Sequence, residues 1–338
     1  MQGIFNRNKH FHLLAAAGLT LAWSLGGSLE NLTAADWPEG VRDIRFVSGG
    51  DGTDQPALFF GVQGSEPRPL IVFLHQWGGD YKYLGGRPIA RWCVAEKWNF
   101  IQPDFRGPNV RPEAMGSDLA LADIESAVAY AKKNAPVDSS RIFVVGASGG
   151  GHAALLATSR MPGVFKGASV WVPISDLVAW HEQCLNTPHA SYSKNIEAAC
   201  GGKLAKGSNA EKQAIARSPL TYLNPEVETM FDINAGINDG HEKAAVPISH
   251  SFHAYNALVR EEARVKDEIV TMMTKERKVP DEMKFTKVDV SYKDRSVLFR
   301  READRSRLTI FDGAHEMIAS AALAWVESTA FPAEAVKQ

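Results

Sequence analysis

The sequence predicts an α/β protein built on a long, mostly parallel sheet with helices on both faces, and three observations predict it. Continuous apolar runs of strand length alternate with a segment of helical spacing. One such run passes without a break into a Gly-x-Ser-x-Gly turn and then a helix. Further apolar strands, followed by turns rich in Gly, Asn or Asp, occupy the second half of the chain.

The elements follow in order. Residues 43–48 and 57–62 alternate between apolar and polar side chains, and Gly49-Gly50-Asp51-Gly52-Thr53 between them supplies hairpin turn chemistry. Residues 70–74 are a continuous apolar run, the pattern of a strand buried on both faces, and 100–103 and 141–145 read as two more such strands. Residues 118–133 place Leu121, Ile124, Val128 and Ala131 on one helical face. Strand, helix, strand is the signature of a parallel sheet. Later strands are expected at 168–172, 229–235 and 308–311, and helices at 248–258 and 317–326. Two stretches exceed the bare pattern. Residues 175–220 have a length typical of a lid or binding loop. Residues 261–305 form a charged insertion before the last strand, with a helical run ending near Pro280 and a hairpin through 288–300.

Composition excludes several classes. Of 338 residues, 45% are hydrophobic and 22% charged, too apolar for a disordered chain. Thirty-seven Lys+Arg against 39 Asp+Glu leave a formal charge of -2, so no basic footprint points to nucleic acid. Arg7 and Lys9 precede an uncharged run at 13–25 and then Gly26-Gly27-Ser28, the layout of a secretory signal peptide over 1–28 with cleavage as late as 35. The run falls short of the roughly 20 residues that span a bilayer, so a secreted or periplasmic chain without a membrane span is expected, with one domain over 36–338. Three cysteines allow at most one bridge. Cys184 and Cys200 are the candidate pair, and Cys93 reads as a helix-core residue.

The string Arg141-Ile142-Phe143-Val144-Val145-Gly146-Ala147-Ser148-Gly149-Gly150-Gly151-His152 carries the chemistry. A nucleophile elbow needs a strained strand-to-helix turn, with small residues two before and two after the serine. Gly146 and Gly150 hold those positions, so Ser148 is the candidate nucleophile and the N–H of Gly149 the first candidate oxyanion donor. A serine needs a base, and on such a sheet the order is serine, acid, histidine. His315, in Phe311-Asp312-Gly313-Ala314-His315-Glu316 just past an apolar strand, is the last histidine. His241, His250 and His253 also follow the serine, the last two inside an expected helix. Asp239, just past the break in Ala235-Gly236-Ile237-Asn238-Asp239-Gly240, is the candidate acid. The loop Leu74-His75-Gln76-Trp77-Gly78-Gly79-Asp80 should give the second oxyanion donor, Trp77 or alternatively Gln76. Tyr81, Trp180 and His181 are expected near the substrate. No metal motif or cofactor signature is present in the sequence, and neither group is needed for this chemistry.

In this order the motifs resemble the α/β-hydrolase superfamily, and more closely the prolyl oligopeptidase catalytic-domain and acetyl xylan esterase-like branch. The residues that carry the likeness are Val137-Asp138-Ser139-Ser140-Arg141-Ile142 leading to the elbow, Ser218-Pro219-Leu220, Gly236-Ile237-Asn238-Asp239-Gly240 with Val246-Pro247, and Gly313-Ala314-His315-Glu316. The resemblance implies a triad of Ser148, Asp239 and His315. It implies acyl transfer without a cofactor. Residues 36–70 are too few for the propeller that gates oligopeptidases. The leading expectation is therefore a secreted serine esterase acting on small esters or acylated carbohydrate. A propeller-free serine peptidase acting on peptides comes second, and a non-catalytic binding module on the same fold third.

Overall fold

The computed structural model describes residues 37–241 and 245–332. The expected leader at 1–28, or as far as 35, lies outside the described residues. The elements are β1 (Arg42–Val47), β2 (Asp54–Phe60), β3 (Arg68–Leu74), α1 (Arg87–Ala95), β4 (Asn99–Pro103), α2 (Asp118–Asn134), β5 (Val137–Ala147), α3 (Gly149–Arg160) and β6 (Gly167–Trp171). They continue with α4 (Leu177–Leu185), α5 (Ala190–Cys200), α6 (Asn209–Ala216), β7 (Met230–Gly236), α7 (Ser249–Leu258), α8 (Asp267–Glu276), β8 (Val297–Ala303), β9 (Ser306–Phe311) and α9 (Ala319–Ala330).

Among the described residues nine strands form one sheet in the order β1-β2-β4-β3-β5-β6-β7-β9-β8. The run β4-β3-β5-β6-β7-β9 is parallel throughout, and antiparallel strands close both edges. The central strands are apolar because both of their faces are covered: Leu70 to Leu74 and Ile142 to Val145 are all buried. Helices α1 and α9 pack together and on the sheet, while α2, α3 and α7 form the other covering layer. Helix α2 is delimited as its sequence suggests. Ser117 Oγ accepts the Ala120 N–H at 3.1 Å, Asp118 sits in the first turn, and Lys132 and Lys133 sit in the last. The expected hairpin at 49–53 joins β1 to β2. Behind it Arg106 donates to Asp123 at 2.6 Å and to Asp51 at 2.8 Å, pinning the turn to α2.

Residues 175–220 are a packed cluster of three helices, α4 to α6, rather than an irregular loop. Asp176 caps α4 by accepting from Val178 N and Ala179 N, and Ser208 caps α6 by accepting from Glu211 N. Gly201 ends α5 in the left-handed region, with φ 82°. The cluster has its own apolar core, which takes in Trp77 and Met115 from the sheet side. This core corrects the expected bridge. Cys184 and Cys200 are free thiols, buried among apolar neighbours as small hydrophobic side chains, and burial pushes each thiol up to about 11. Cys93 is also free and buried in α1. Within 261–305, α8 is the expected helical run, but the hairpin is shifted. Its first arm is β8, which pairs antiparallel with β9 around the turn at Asp304-Arg305. No helix of the described residues is long and apolar enough to cross a membrane.

Candidate active site

Register brings five strand ends to one edge of the sheet. Leu74 of β3 pairs with Gly146 of β5, Ala147 of β5 with Trp171 of β6, and Gly236 of β7 with Phe311 of β9. The loops that follow therefore project side by side, the usual position for ligands on such a sheet. Ser148, Asp239 and His315 stand on three of these loops and Trp77 on a fourth.

Ser148 occupies the turn between β5 and α3 with φ 57° and ψ -120°. This is a strained conformation for a residue with a side chain, kept only where surroundings enforce it. They do so here by close approach. A Cβ on Gly146 would stand 2.3 Å from the Gly150 carbonyl oxygen, and one on Gly150 would stand 2.1 Å from that of Leu74. The Ser148 N–H donates to Trp171 O at 2.9 Å, fixing the turn to β6. The first turn of α3 directs unpaired N–H groups and the positive end of the helix dipole toward this point.

Beyond β7 and β9 the chain is stitched across the two loops. Ile237 N donates to Phe311 O at 2.9 Å and Asn238 N to Gly313 O at 3.0 Å. His315 Nδ1 lies 2.8 Å from Asp239 Oδ2, a bond between residues 76 positions apart. Asp239 is 1% exposed, and its other oxygen accepts the Gly240 N–H at 2.9 Å. Burial raises its carboxyl above the ordinary range, and the hydrogen bond from His315 pulls it back. The His315 side chain stays 28% exposed, so its ring remains reachable from outside. Among the described residues Ser148 Oγ has no hydrogen bond to His315, a contact that often tightens only when substrate is bound. The other late histidines are engaged elsewhere. His241 lies against Thr274 O at 2.6 Å, His250 is buried between Ser175 and Gln183, and His253 lies on α7.

The loop after β3 passes directly over Gly149. A Cβ on Gly149 would meet Trp77 N at 2.5 Å. His75 props this loop from below, its ring nitrogens 2.9 Å from Gln76 O and 2.8 Å from Asp104 O. Gln76, the alternative, is exposed and its side chain takes the Tyr83 hydroxyl. The Trp77 indole turns away from the sheet and meets Trp180 edge-on at 4.8 Å.

The three residues expected near substrate bond to groups outside the serine turn. Tyr81 bonds Asp43 Oδ2 at 3.1 Å near β1. Trp180 is buried with its Nε1 donating to Ala245 O at 2.9 Å, and His181 is buried against Glu197 at 3.2 Å. Trp180 and His181 are interior side chains, whereas Tyr81 is half-buried. A residue that spacing did not single out is Asn109, whose buried side chain comes within 3.1 Å of the same Gly149 Cβ position. Its string, Arg106-Gly107-Pro108-Asn109, reads only as a polar loop.

Comparisons with known proteins agree with this architecture. The model of peptidase S9, the prolyl oligopeptidase family, matches residues 116–277, a span that contains Ser148 and Asp239 and stops short of His315. The chain is 24% identical over 203 residues to dipeptidyl peptidase family member 6 of Caenorhabditis elegans, covering 57% of this chain and 26% of that protein. Among solved structures it is similar to a puromycin-hydrolyzing peptidase of Mycobacterium tuberculosis, with TM-score 0.55, 17% identity and coverage of 86% of this chain and 39% of that one. It is also similar to the acylaminoacyl peptidase of Pyrococcus horikoshii, with TM-score 0.50, 18% identity, and 64% and 34% coverage. The chain thus spans well under half the length of these relatives.

Proposed function

Because the chain has the fold of these peptidase structures and the prolyl oligopeptidase family model matches residues 116–277, we propose that it is a serine hydrolase of peptidase type in the α/β-hydrolase superfamily. In this reading Ser148 is the nucleophile, His315 the base and Asp239 the acid that orients it. The observation that carries the reading is the 2.8 Å Asp239–His315 bond on the same sheet edge as the strained Ser148 turn.

The proposed chemistry follows from these groups. Ser148 Oγ attacks the carbonyl carbon while His315 Nε2 takes its proton, and Asp239 holds Nδ1–H and favours the charged ring. Oxygen gains the negative charge next to the N–H groups of Trp77 and Gly149. Collapse expels the amine with the proton from His315, and water then releases the acyl group by the same steps. A peptide is favoured over an ester because the relatives are named as peptidases, which reverses the order suggested by sequence alone. Secretion, in this proposal, rests on the sequence pattern at 1–28.

The test is labelling by a fluorophosphonate, wild type beside Ser148→Ala, followed by parallel panels of peptide anilides and aryl acetates. One adduct, lost in the variant, with anilides turned over, supports the proposal. Turnover of aryl acetates alone would return the ester reading to first place. Absence of any adduct on folded protein would leave the binding-module reading.

A further inference from the structure

Two nitrogen donors from separate loops face the space above Gly149. A Cβ placed there would stand 2.5 Å from Trp77 N and 3.1 Å from Asn109 Nδ2, so only glycine leaves that space open. Asn109 is 2% exposed. The residue is held by two bonds: the side-chain Oδ1 accepts the Met115 N–H at 2.8 Å, and the backbone N–H donates to Trp77 O at 2.9 Å. With the oxygen occupied, the NH2 end is the one turned toward Gly149. Among the described residues Nδ2 has no hydrogen-bond partner. A buried amide donor left unpaired is costly, and native structures keep few such groups without a reason.

We propose that Asn109 Nδ2 is a third donor to the oxyanion that forms when Ser148 attacks a carbonyl, beside the N–H groups of Trp77 and Gly149. The proposal rests on the serine hydrolase reading above. As the Ser148 Oγ–C bond forms, the carbonyl π pair moves onto oxygen, and Asn109 donates a hydrogen bond to that charge without giving up its proton. When the intermediate collapses the pair returns and the leaving group departs. Its dry, fixed amide needs no reorganisation at that moment, which is what makes such a donor effective. The unpaired state of Nδ2 is then the resting state of a group whose partner exists only during turnover.

Asn109→Asp keeps the acceptor for Met115 and the side-chain size but removes the donor, and Asn109→Ala removes both. Removing one oxyanion donor lowers kcat by roughly a hundred- to a thousandfold. Both variants should show a loss of that order, the aspartate at least as large, with KM within about threefold of wild type and a matching loss of affinity for a boronic acid analogue. Fluorophosphonate labelling of the wild type at Ser148 establishes the hydrolase reading independently. If wild type labels and turns over while either folded variant keeps kcat within about threefold, Asn109 is not a donor and the hydrolase reading stands. A loss confined to KM overturns the proposal equally. Should both variants fail to fold, the wild-type phosphonyl adduct decides by crystallography. Its oxygen within hydrogen-bond distance of Asn109 Nδ2 supports the proposal, and Nδ2 bonded elsewhere overturns it.

Discussion

Asp239 and His315 meet at 2.8 Å across 76 residues of sequence, and the carboxylate of this pair is almost wholly buried while the imidazole is partly open. A buried acid with one oxygen on Nδ1 and the other on a backbone N–H can hold the ring in a single tautomer. Asp239→Asn should preserve the fold yet lower kcat by roughly 10³–10⁴-fold, because the amide favours the wrong tautomer. Steady-state kinetics beside thermal melting check this. A loss below tenfold would remove Asp239 from its proposed role.

The serine turn should tolerate no side chain at the flanking glycines. Gly146→Ala puts a carbon 2.3 Å from a backbone oxygen that cannot rotate aside. Overpacking of this kind costs about 1–3 kcal/mol or more. A lowered urea midpoint together with loss of fluorophosphonate labelling is expected. An alanine variant as stable as wild type would mean the turn is looser than its close contacts imply.

Acid should destabilise the fold through two histidines outside the proposed triad. Burial holds His152 down to about 4 and His250 down to about 3, whereas an imidazole in the unfolded chain titrates near 6.5. The unfolded state thus binds more protons between those values, so stability is full above about pH 6.5 and falls as pH drops toward 4. Asp239 acts in the opposite sense, since its raised carboxyl pKa makes the native state keep a proton longer. Urea midpoints at pH 7.5 and 4.5 should differ in wild type and differ less in His250→Gln. Equal midpoints in wild type would contradict the burial argument.

The ion cluster behind the first hairpin gives a prediction about stability alone. Asp123 is fully buried and shares Arg106 with Asp51 and Ser48. Removing Asp123 takes two hydrogen bonds from a buried guanidinium that Asp51 still pairs, and a loss of that kind costs about 1–3 kcal/mol. Asp123→Ala should lose that much in chemical denaturation, and adding Arg106→Met should restore a large part of it. Failure of the second change to restore stability would show that the guanidinium serves other contacts.

Thiol chemistry tests the correction made to the expected bridge. All three cysteines of the chain are buried and free, and burial disfavours the thiolate at each. Three thiols should react with a disulfide reagent after unfolding without reductant, and none at a comparable rate before it. Recovery of one thiol only would show that one bridge forms and overturn the free-thiol assignment.

Much of this site was legible because its signals are local. The elbow is a strand, a fixed glycine spacing and a helix start within twelve residues, and Asp239 and His315 each follow an apolar strand directly. What escaped depends on distant chain segments. Helices α4 to α6 bury their faces against one another and against Trp77, so their apolar residues make no clean stripe, although Asp176, Gly201 and the Ser208–Glu211 pair are boundary signals present in the sequence. Strand β8 carries Arg300, Arg301 and Glu302 because it is a sheet edge, where charge is tolerated. Cys184 and Cys200 share a spacing that suits a bridge, and only the helical packing shows them as apolar filling. Asn109 becomes distinctive solely through what lies above Gly149.

Trp77 lends its backbone to the serine turn and its indole to the core of the α4–α6 cluster. The helical cluster is consequently not a transplantable module. Exchanging residues 174–216 for the corresponding segment of a relative would leave Trp77, Met115 and Val246 facing a foreign interior, and any repacking of the indole would tug on the loop beside Ser148. A viable chimera has to carry these three outlying positions along with the helices, so the heritable unit here is a spatial neighbourhood drawn from four places in the chain.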